Sequence, residues 1–474
     1  MILLAVLFAG LASNAAAAQV LQLGPGAHTR VLRDPFLTTP AQTPAPPAAT
    51  RYAPRARAAA HAPTVTGTLG RLLHAHAVTS ANYRSYMASV RSAVTASKRL
   101  RGTRQRELTA VIDNLKAIAA GHELTASRLP ALFLTLDRNR QWWTTGPLLT
   151  PSQRVEFKGS QIVWQYYAGQ GIELQVLGTF GEADGMYTAG PSEYGQLQEL
   201  LGEMIPLAVQ RGGGLTWEYY FQFDGGTPPW TSAMSQGTAI EALTRGYSAT
   251  HQSSYLSLAH GALPIFQVAP PAGVAEATAH GARYLQYSFA SHTFIINAFL
   301  QSLIGLYDYA QASADPLAKQ LFAAGDSEAR AEVPSFDTGA WSLYQPGLED
   351  SLDYHTLVTG FLQELCQRTR ASVYCSTAQH FQTYLKTPPA LRLLTQTAPR
   401  RSAFKVAFQL SKNSHVGIVV ASGSRTLFST SASFPYGTHS FRVPALKAGT
   451  YTVRLAATDL AGNFNRITGN LRIS

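Results

Sequence analysis

The chain is poor in cysteine, with Cys366 and Cys375 the only two in 474 residues. That excludes a disulfide-dense scaffold and a four-thiolate zinc site. Their nine-residue spacing, with no histidine cluster beside it, suits neither a metal pair nor a redox pair. In an exported chain the segment ELCQRTRASVYC reads as one disulfide closing a helix–turn–helix corner. Motifs for common chemistries are missing too. No nucleophile elbow, phosphate-cradling glycine loop or dinucleotide fingerprint occurs, and the thirteen histidines are scattered without metal-ligand spacing. No metal and no cofactor is expected. Beyond residue 18, no stretch approaches the roughly 18 consecutive apolar residues that a membrane-spanning helix needs.

Acidic side chains are scarce in the first third. Residues 1–150 hold 17 Lys/Arg against 5 Asp/Glu, leaving 21 and 22 for the remainder, so the net charge of +11 belongs to the N-terminal third. Such a field attracts anionic envelope polymers over a Debye length of about 8–10 Å. It says little about an active site. Cell-envelope association fits this charge, a nucleic-acid partner is not expected for an exported chain, and nothing sets the oligomeric state.

What is present divides the chain into five parts. Residues 1–18 run ILLAVLFAGLA into small residues and read as a secretory leader cleaved near Ala16 to Ala18. Because the usual positive n-region is missing, a lipid-embedded anchor or a misplaced start codon is the alternative; otherwise the protein is secreted or envelope-associated. Residues 19–66, rich in Pro, Ala and Thr, read as a linker. Residues 67–150 form a basic helical region, with Leu108, Val111, Ile112, Leu115 and Ile118 at three- and four-residue steps. The run SKRLRGTRQRE (97–107) reads as a basic turn between helices, or simply as a solvated charged face. Residues 151–390 begin with alternating apolar and polar residues broken at Gly169 and Gly171, as in a hairpin. They continue into successive helices that suggest paired αα-hairpins in a bundle or an open toroid. Residues 398–474 carry about seven short alternating strands, as in an immunoglobulin-like β-sandwich; its expected role is spacing or attachment.

Aromatic and polar residues cluster at the ends of the central helices. Four stretches there, in chain order, resemble the C-terminal module of the D-glucuronyl C5-epimerase family. YYAGQGIELQVLGTFGEADGMY (166–187) is similar to its strand pair leading into a Thr-Phe-Gly turn. PPWTSAMSQGTAIEALTRGY (228–247) is close to its tryptophan followed by SAMxQGxAI. YLQYSFASHTFIINAFLQSLIGLYD (284–308) looks like its tyrosine segment and a helix ending LxGLYD. FDTGAWSLYQPGLEDSLDYHTLVTGFL (336–362) resembles its FDTGxWSLY followed by YH. The resemblance covers about 220 residues, just under half the chain. It implies an α+β multidomain fold: an incomplete (α/α) toroid of helical hairpins with β-hairpins lining a groove, plus the C-terminal sandwich.

The family's reaction explains recurrent tyrosines. Inverting C5 of a uronate removes a weakly acidic proton beside a carboxylate and returns one from the opposite face. The site must neutralise the carboxylate and place an acid/base group on each side of the ring. By matching, Tyr287, Tyr344 and Tyr354 fall on the family's functional tyrosines, and the implied substrate is an acidic polysaccharide. Substrate-binding candidates are Arg283, Tyr284, Gln286, His355, Trp230, Gln236 and Asn297. Packing alternatives stand beside these roles: Tyr344 beneath Trp341, Tyr354 on its helix's apolar face, Tyr287 as a stacking surface only.

Three departures from the family pattern bear on chemistry. Gln286 stands where a glutamate precedes the first functional tyrosine, and glutamine cannot titrate. Gln345-Pro346-Gly347 replaces an arginine after Tyr344, and Val358 replaces a histidine. Arg245, inside a helix, reads as structural, which leaves Arg283 as the expected partner for a carboxylate. The expected function is a polysaccharide uronate C5-epimerase. The alternatives are a non-catalytic glycan-binding or envelope protein on the same fold, or a uronate lyase sharing the C5 deprotonation.

Overall fold

A computed structural model describes residues 17–38, 62–400 and 402–474. The expected leader lies outside the described residues up to position 16, and the expected linker lies outside them over 39–61.

The first part of that linker is not a tether. β1 (Ala17–Leu23) and β2 (Thr29–Thr38) pair antiparallel, and β1 runs parallel to β3 (Arg154–Phe157). With β4 (Trp164–Tyr167) and β5 (Gly171–Leu174) they form one sheet in the order β2-β1-β3-β4-β5. Alternation in AAQVLQL supplies the buried Ala18 and Val20, while Pro35 is tolerated because β2 is an edge strand. Asp34 Oδ1 accepts from the amides of Phe36 and Leu37 at 2.8 and 3.1 Å, fixing the chain around that proline.

Between β2 and β3 lie α1 (Val65–His74), α2 (Ser80–Arg99), α3 (Gly102–Ala120) and α4 (Leu129–Thr145). The sheet buries Val155, Phe157, Trp164, Tyr166 and Ile172 in the core these helices share. Trp142 meets Phe157 edge-on at 5.9 Å, and Trp143 meets Tyr166 at 5.5 Å. Strand β5 would otherwise be an open edge. Asn139 of α4 closes it, donating to the Ile172 carbonyl and accepting from the Ile172 amide. Gly171 is needed there: its φ is +90°, and a Cβ would collide with the Asn139 side chain.

Four helical hairpins follow: α5 (Val176–Ala189) with α6 (Tyr194–Met204), α7 (Ala233–Thr250) with α8 (Ser253–Gly261), α9 (Ile296–Ser313) with α10 (Pro316–Glu332), and α11 (Leu352–Thr369) with α12 (Ser372–Tyr384). α5 packs on α7, α7 on α9 and α9 on α11, so the first helices make an inner row and the second an outer one. This is an incomplete (α/α) toroid. Cys366 of α11 and Cys375 of α12 are joined by a disulfide at the corner of the last hairpin. The Thr-Phe-Gly turn expected near 179–181 is instead inside α5, where the Thr179 hydroxyl bonds the Gln175 carbonyl at 2.8 Å. α6 stops at Met204 because Pro206 cannot supply a helical amide.

Each inner helix is entered through a short β-hairpin. β4–β5 leads into α5. β6 (Val209–Arg211) and β7 (Gly214–Thr216) precede α7, and β8 (Ala275–Ala277) and β9 (Ala282–Tyr284) precede α9. β10 (Leu343–Gln345) and β11 (Leu348–Glu349) precede α11.

The C-terminal strands form two facing sheets around a separate core. β12 (Leu391–Leu393), β14 (Phe404–Leu410) and β17 (Gly437–Val443) make one. β13 (Thr397–Ala398), β19 (Phe464–Ile473), β18 (Gly449–Asp459), β15 (Ser414–Ser422) and β16 (Arg425–Phe434) make the other. Val406, Phe408, Val416, Ile418, Phe441 and Val453 fill the space between them.

Candidate functional site

The hairpin that enters each inner helix also delivers an aromatic residue. Tyr167 lies on β4, Tyr219 follows β7, Tyr287 follows β9, Tyr344 is on β10, and Tyr354 sits in the first turn of α11. Tyr354 owes its place to the cap: Ser351 Oγ accepts its amide at 3.3 Å. The rings of Tyr344 and Tyr354 are 4.9 Å apart. The Tyr287 ring lies 5.6 Å from Phe223, 5.2 Å from Phe289 and 5.8 Å from Trp230.

The phenols act on one another. Burial is the largest cause raising the Tyr287, Tyr344 and Tyr354 phenols above the ordinary tyrosine range. Tyr354 is pushed up to about 12, with the Asp350 carboxyl adding to burial. Tyr344 is raised further by Tyr287, Tyr354 and Asp350, and Tyr287 by Tyr354 and Asp224. Tyr167 is raised by burial and by Tyr219 and Tyr287, and lowered by Arg154. Five tyrosines far apart in sequence are thus one electrostatic unit.

Two acceptors stay unmatched, one on Gln286 beside Tyr287 and one on Asn297 in the first turn of α9. Gln286 Oε1 and Asn297 Oδ1 are buried and accept no hydrogen bond from the described residues. Both suit a sugar hydroxyl, which can donate to them.

Several expected binding residues do something else. Arg283 is surrounded by carboxylates: its guanidinium meets Glu276 and Glu328 at 3.2 Å each, pairs with Glu332, and lies over the Phe294 ring. A substrate carboxylate would have to compete with all three, so Arg283 is an internal clamp. His355 is fully buried, its ring stacked on Trp341 at 3.8 Å, with Nε2 donating to the Phe381 carbonyl and Nδ1 bonded to Ser342 Oγ at 2.7 Å. Burial lowers it to about 4, so it is a neutral core histidine with no free donor. Tyr284 is also core, donating to the Leu321 carbonyl at 2.7 Å. Gln236 is consumed in pinning the chain before α7, through Trp217 and Thr231. Trp230 offers no face to a sugar, since Tyr219 stacks on it at 4.2 Å and Phe223 at 5.9 Å. Arg245 bridges helices, meeting Asp184 of α5 and Glu241.

Arg154, Tyr167 and Tyr219 were not singled out from sequence. Arg154 is on β3, ahead of the stretches that resemble the family, opposite Gln165 of β4 in register and diagonal to Tyr167. Its guanidinium interacts with the Tyr167 phenol and with the carboxyls of Asp34 and Glu182. The period-2 alternation that puts Gln165 and Tyr167 on one face of β4 is the signal that would have found Tyr167. Tyr219 is fixed by Ser235 Oγ at 2.7 Å and by the Leu177 amide at 3.2 Å.

Residues 212–383 match the family described as the D-glucuronyl C5-epimerase C-terminus. The match takes in Tyr219, Tyr287, Tyr344 and Tyr354 and leaves out Tyr167 and Arg154. A D-glucuronyl C5-epimerase of Caenorhabditis elegans is 29% identical over 178 residues, covering 33% of this chain and 29% of that protein. An uncharacterised protein of Methanocaldococcus jannaschii is 23% identical over 137 residues, covering 27% and 44%. The chain therefore spans under half the length of either relative. Among solved structures, an endo-β-1,4-glucanase of Acetobacter xylinum aligns at a TM-score of 0.35 with 13% identity, over 49% of this chain and 76% of that one. A sugar epimerase from a ruminal bacterium aligns at 0.33 with 13% identity, over 44% and 58%. The sequence similarity of residues 212–383 is thus distant and partial, and it is to a family of carbohydrate-active enzymes.

Proposed function

We propose that the tyrosine cluster epimerises C5 of a glucuronate-type residue in an acidic polysaccharide. The observation that carries this reading is the convergence of Tyr287, Tyr344 and Tyr354, from three separate segments, inside the family-matched region. In this reading Tyr287 and Tyr354 address opposite faces of the sugar ring and Tyr344 hydrogen-bonds between them. Arg154, whose guanidinium interacts with the Tyr167 phenol of the cluster as well as Asp34 and Glu182, is assigned to meet the substrate carboxylate, a part for which His355 has no free donor. With Tyr354 at about 12, only about one phenol in 10⁵ is ionised at pH 7. The proton-returning role is therefore always ready, and the abstracting role is rare but strongly basic when it occurs. Exchange should accelerate with pH across the neutral range. The reading also keeps the protein secreted or envelope-associated, on the strength of its leader, and takes residues 398–474 as an Ig-like appendage.

A second reading, glycan binding without chemistry, is favoured by two features: Gln286 cannot titrate, and the phenols of the cluster are all raised. Incubation with heparosan in heavy water separates the two. Deuterium at C5 in an intact polymer supports the epimerase. Unsaturated uronate would point to a lyase, and binding with neither signal would sink the enzyme. Tyr354→Phe is expected to slow exchange by about 10²–10⁴-fold while binding persists; unchanged exchange removes Tyr354 from the mechanism.

A further inference from the structure

We infer that the outer face of α2 is a docking strip for a linear polysaccharide with widely spaced carboxylates, separate from the tyrosine cluster. The class of partner rests on the reading above; the strip rests on the geometry of one helix. α2 has 20 residues and no Asp or Glu among them. Arg84, Arg91 and Lys98 are seven apart, which puts them nearly in line along one face at steps of about 10 Å. Arg99 stands beside the last. Residues between them on that face are Ala81, Ser85, Ala88, Ser92 and Thr95, all exposed and short. Nothing long stands between the cations to hold a polymer away.

The opposite face explains why the cations cannot turn inward. Tyr86, Met87, Val90 and Val94 pack into the core, and Ala93 is fully buried. A solvated surface helix ordinarily interleaves acids and bases in i,i+4 pairs. Here Arg84, Arg91, Lys98 and Arg99 make no ion pair with any described carboxylate, so a polyanion would meet uncompensated charge. The strip also lies away from the cluster. α2 packs on α3 and α4, which cover the sheet's apolar face, whereas Tyr167 and Arg154 are on the other face.

Spacing favours a polysaccharide over nucleic acid. A DNA strand carries a phosphate about every 3.4 Å, so one cation per roughly 10 Å would leave most of them unmatched. A polymer with one uronate per disaccharide has charges on the scale of this ladder. No aromatic ring is exposed on the strip to stack a base; Tyr86 is turned onto Phe133 at 4.4 Å.

The test uses the full chain with Arg84→Ala, Arg91→Ala and Lys98→Ala combined, changes that suit an exposed helix. Affinity for immobilised heparosan at low salt is expected to fall about tenfold or more and to lose much of its salt dependence. Deuterium exchange at C5 of a short oligosaccharide should stay at the wild-type rate. Unchanged polymer affinity would overturn the strip, and duplex DNA bound as tightly as heparosan through the same residues would overturn the polysaccharide assignment. If wild-type protein shows no exchange but polymer binding still depends on the ladder, the epimerase reading fails and the strip stands.

Discussion

Asp350 sits one residue before the cap of α11 and reaches Ser342 Oγ at 2.5 Å, next to the His355 Nδ1 contact. Burial and the neighbouring Glu349 raise its carboxyl to about 7, against an unfolded value near 4. The folded state therefore holds this proton more tightly, and stability from this group is present at low pH and lost as pH rises through 7. Asn at this position is neutral, and its Oδ1 accepts from Ser342 Oγ as the carboxyl does. Asp350→Asn should flatten that loss and stabilise the protein at pH 8 by roughly 2–4 kcal/mol, measured by urea unfolding at pH 5 and pH 8. Greater loss of stability in the variant at pH 8 would refute the assignment. His355 works in the opposite direction: its folded value of about 4 lies below the ordinary 6.5, so its contribution is present above 6.5 and lost as pH falls toward 4. At this scale it is the family resemblance that marks Tyr287, Tyr344 and Tyr354, and the rings of Tyr344 and Tyr354 lie 4.9 Å apart. The sequence did not show that His355 is core, since a histidine at a helix start has the same sequence signal whether Trp341 covers it or water does.

At the scale of elements, the inner helices stand unusually close. A Cβ on Gly305 of α9 would collide with the Gly237 carbonyl of α7, and one on Gly237 with the backbone of Ser302. Both glycines lie within the resemblance motifs, SAMSQG and LIGLYD, and their purpose is this approach. Gly305→Ala should cost about 2–3 kcal/mol by forcing α7 and α9 apart, read as a lower urea midpoint; it should also slow exchange, because the segment carrying Tyr287 leads into α9. A midpoint equal to wild type would show that the helices can yield. The helices themselves were legible from apolar residues at three- and four-residue steps. Their ends were less so. α5 absorbs the Thr-Phe-Gly expected as a turn because Thr179 satisfies the Gln175 carbonyl from within the helix, and no local signal marks that choice.

Across the whole molecule, the C-terminal sandwich is docked on the toroid. Lys412 is 1% exposed; its ammonium pairs with Asp459 at 2.7 Å and donates to the carbonyls of Tyr384 and Thr387 at the end of α12. It also lies 5.2 Å from the centre of the Trp341 ring. From the other side, Glu349 of β11 accepts the amides of Asn413 and Tyr436 at 3.0 and 2.8 Å. The hairpin carrying Tyr344 is thus held by the sandwich. Lys412→Ala leaves the Asp459 carboxylate buried without its cation and should cost about 3–5 kcal/mol. Calorimetry should then resolve two transitions where wild type shows one, with faster proteolysis near residues 388–400. A single transition at the wild-type temperature would mean that the docking contributes little.

The αα-hairpins, the alternating C-terminal strands and the location of the basic charge can all be read along the chain. All of these are set by periodicity or by neighbours a few residues away. Tertiary structure decided the rest. It brought Arg154 beside Tyr167, enclosed Arg283 among three carboxylates, buried His355 and recruited residues 17–38 into a sheet with β3. Those outcomes depend on contacts between elements, from about ten residues to more than a hundred apart. Side-chain environment there is fixed by which surfaces meet, and one-dimensional spacing carries no record of that.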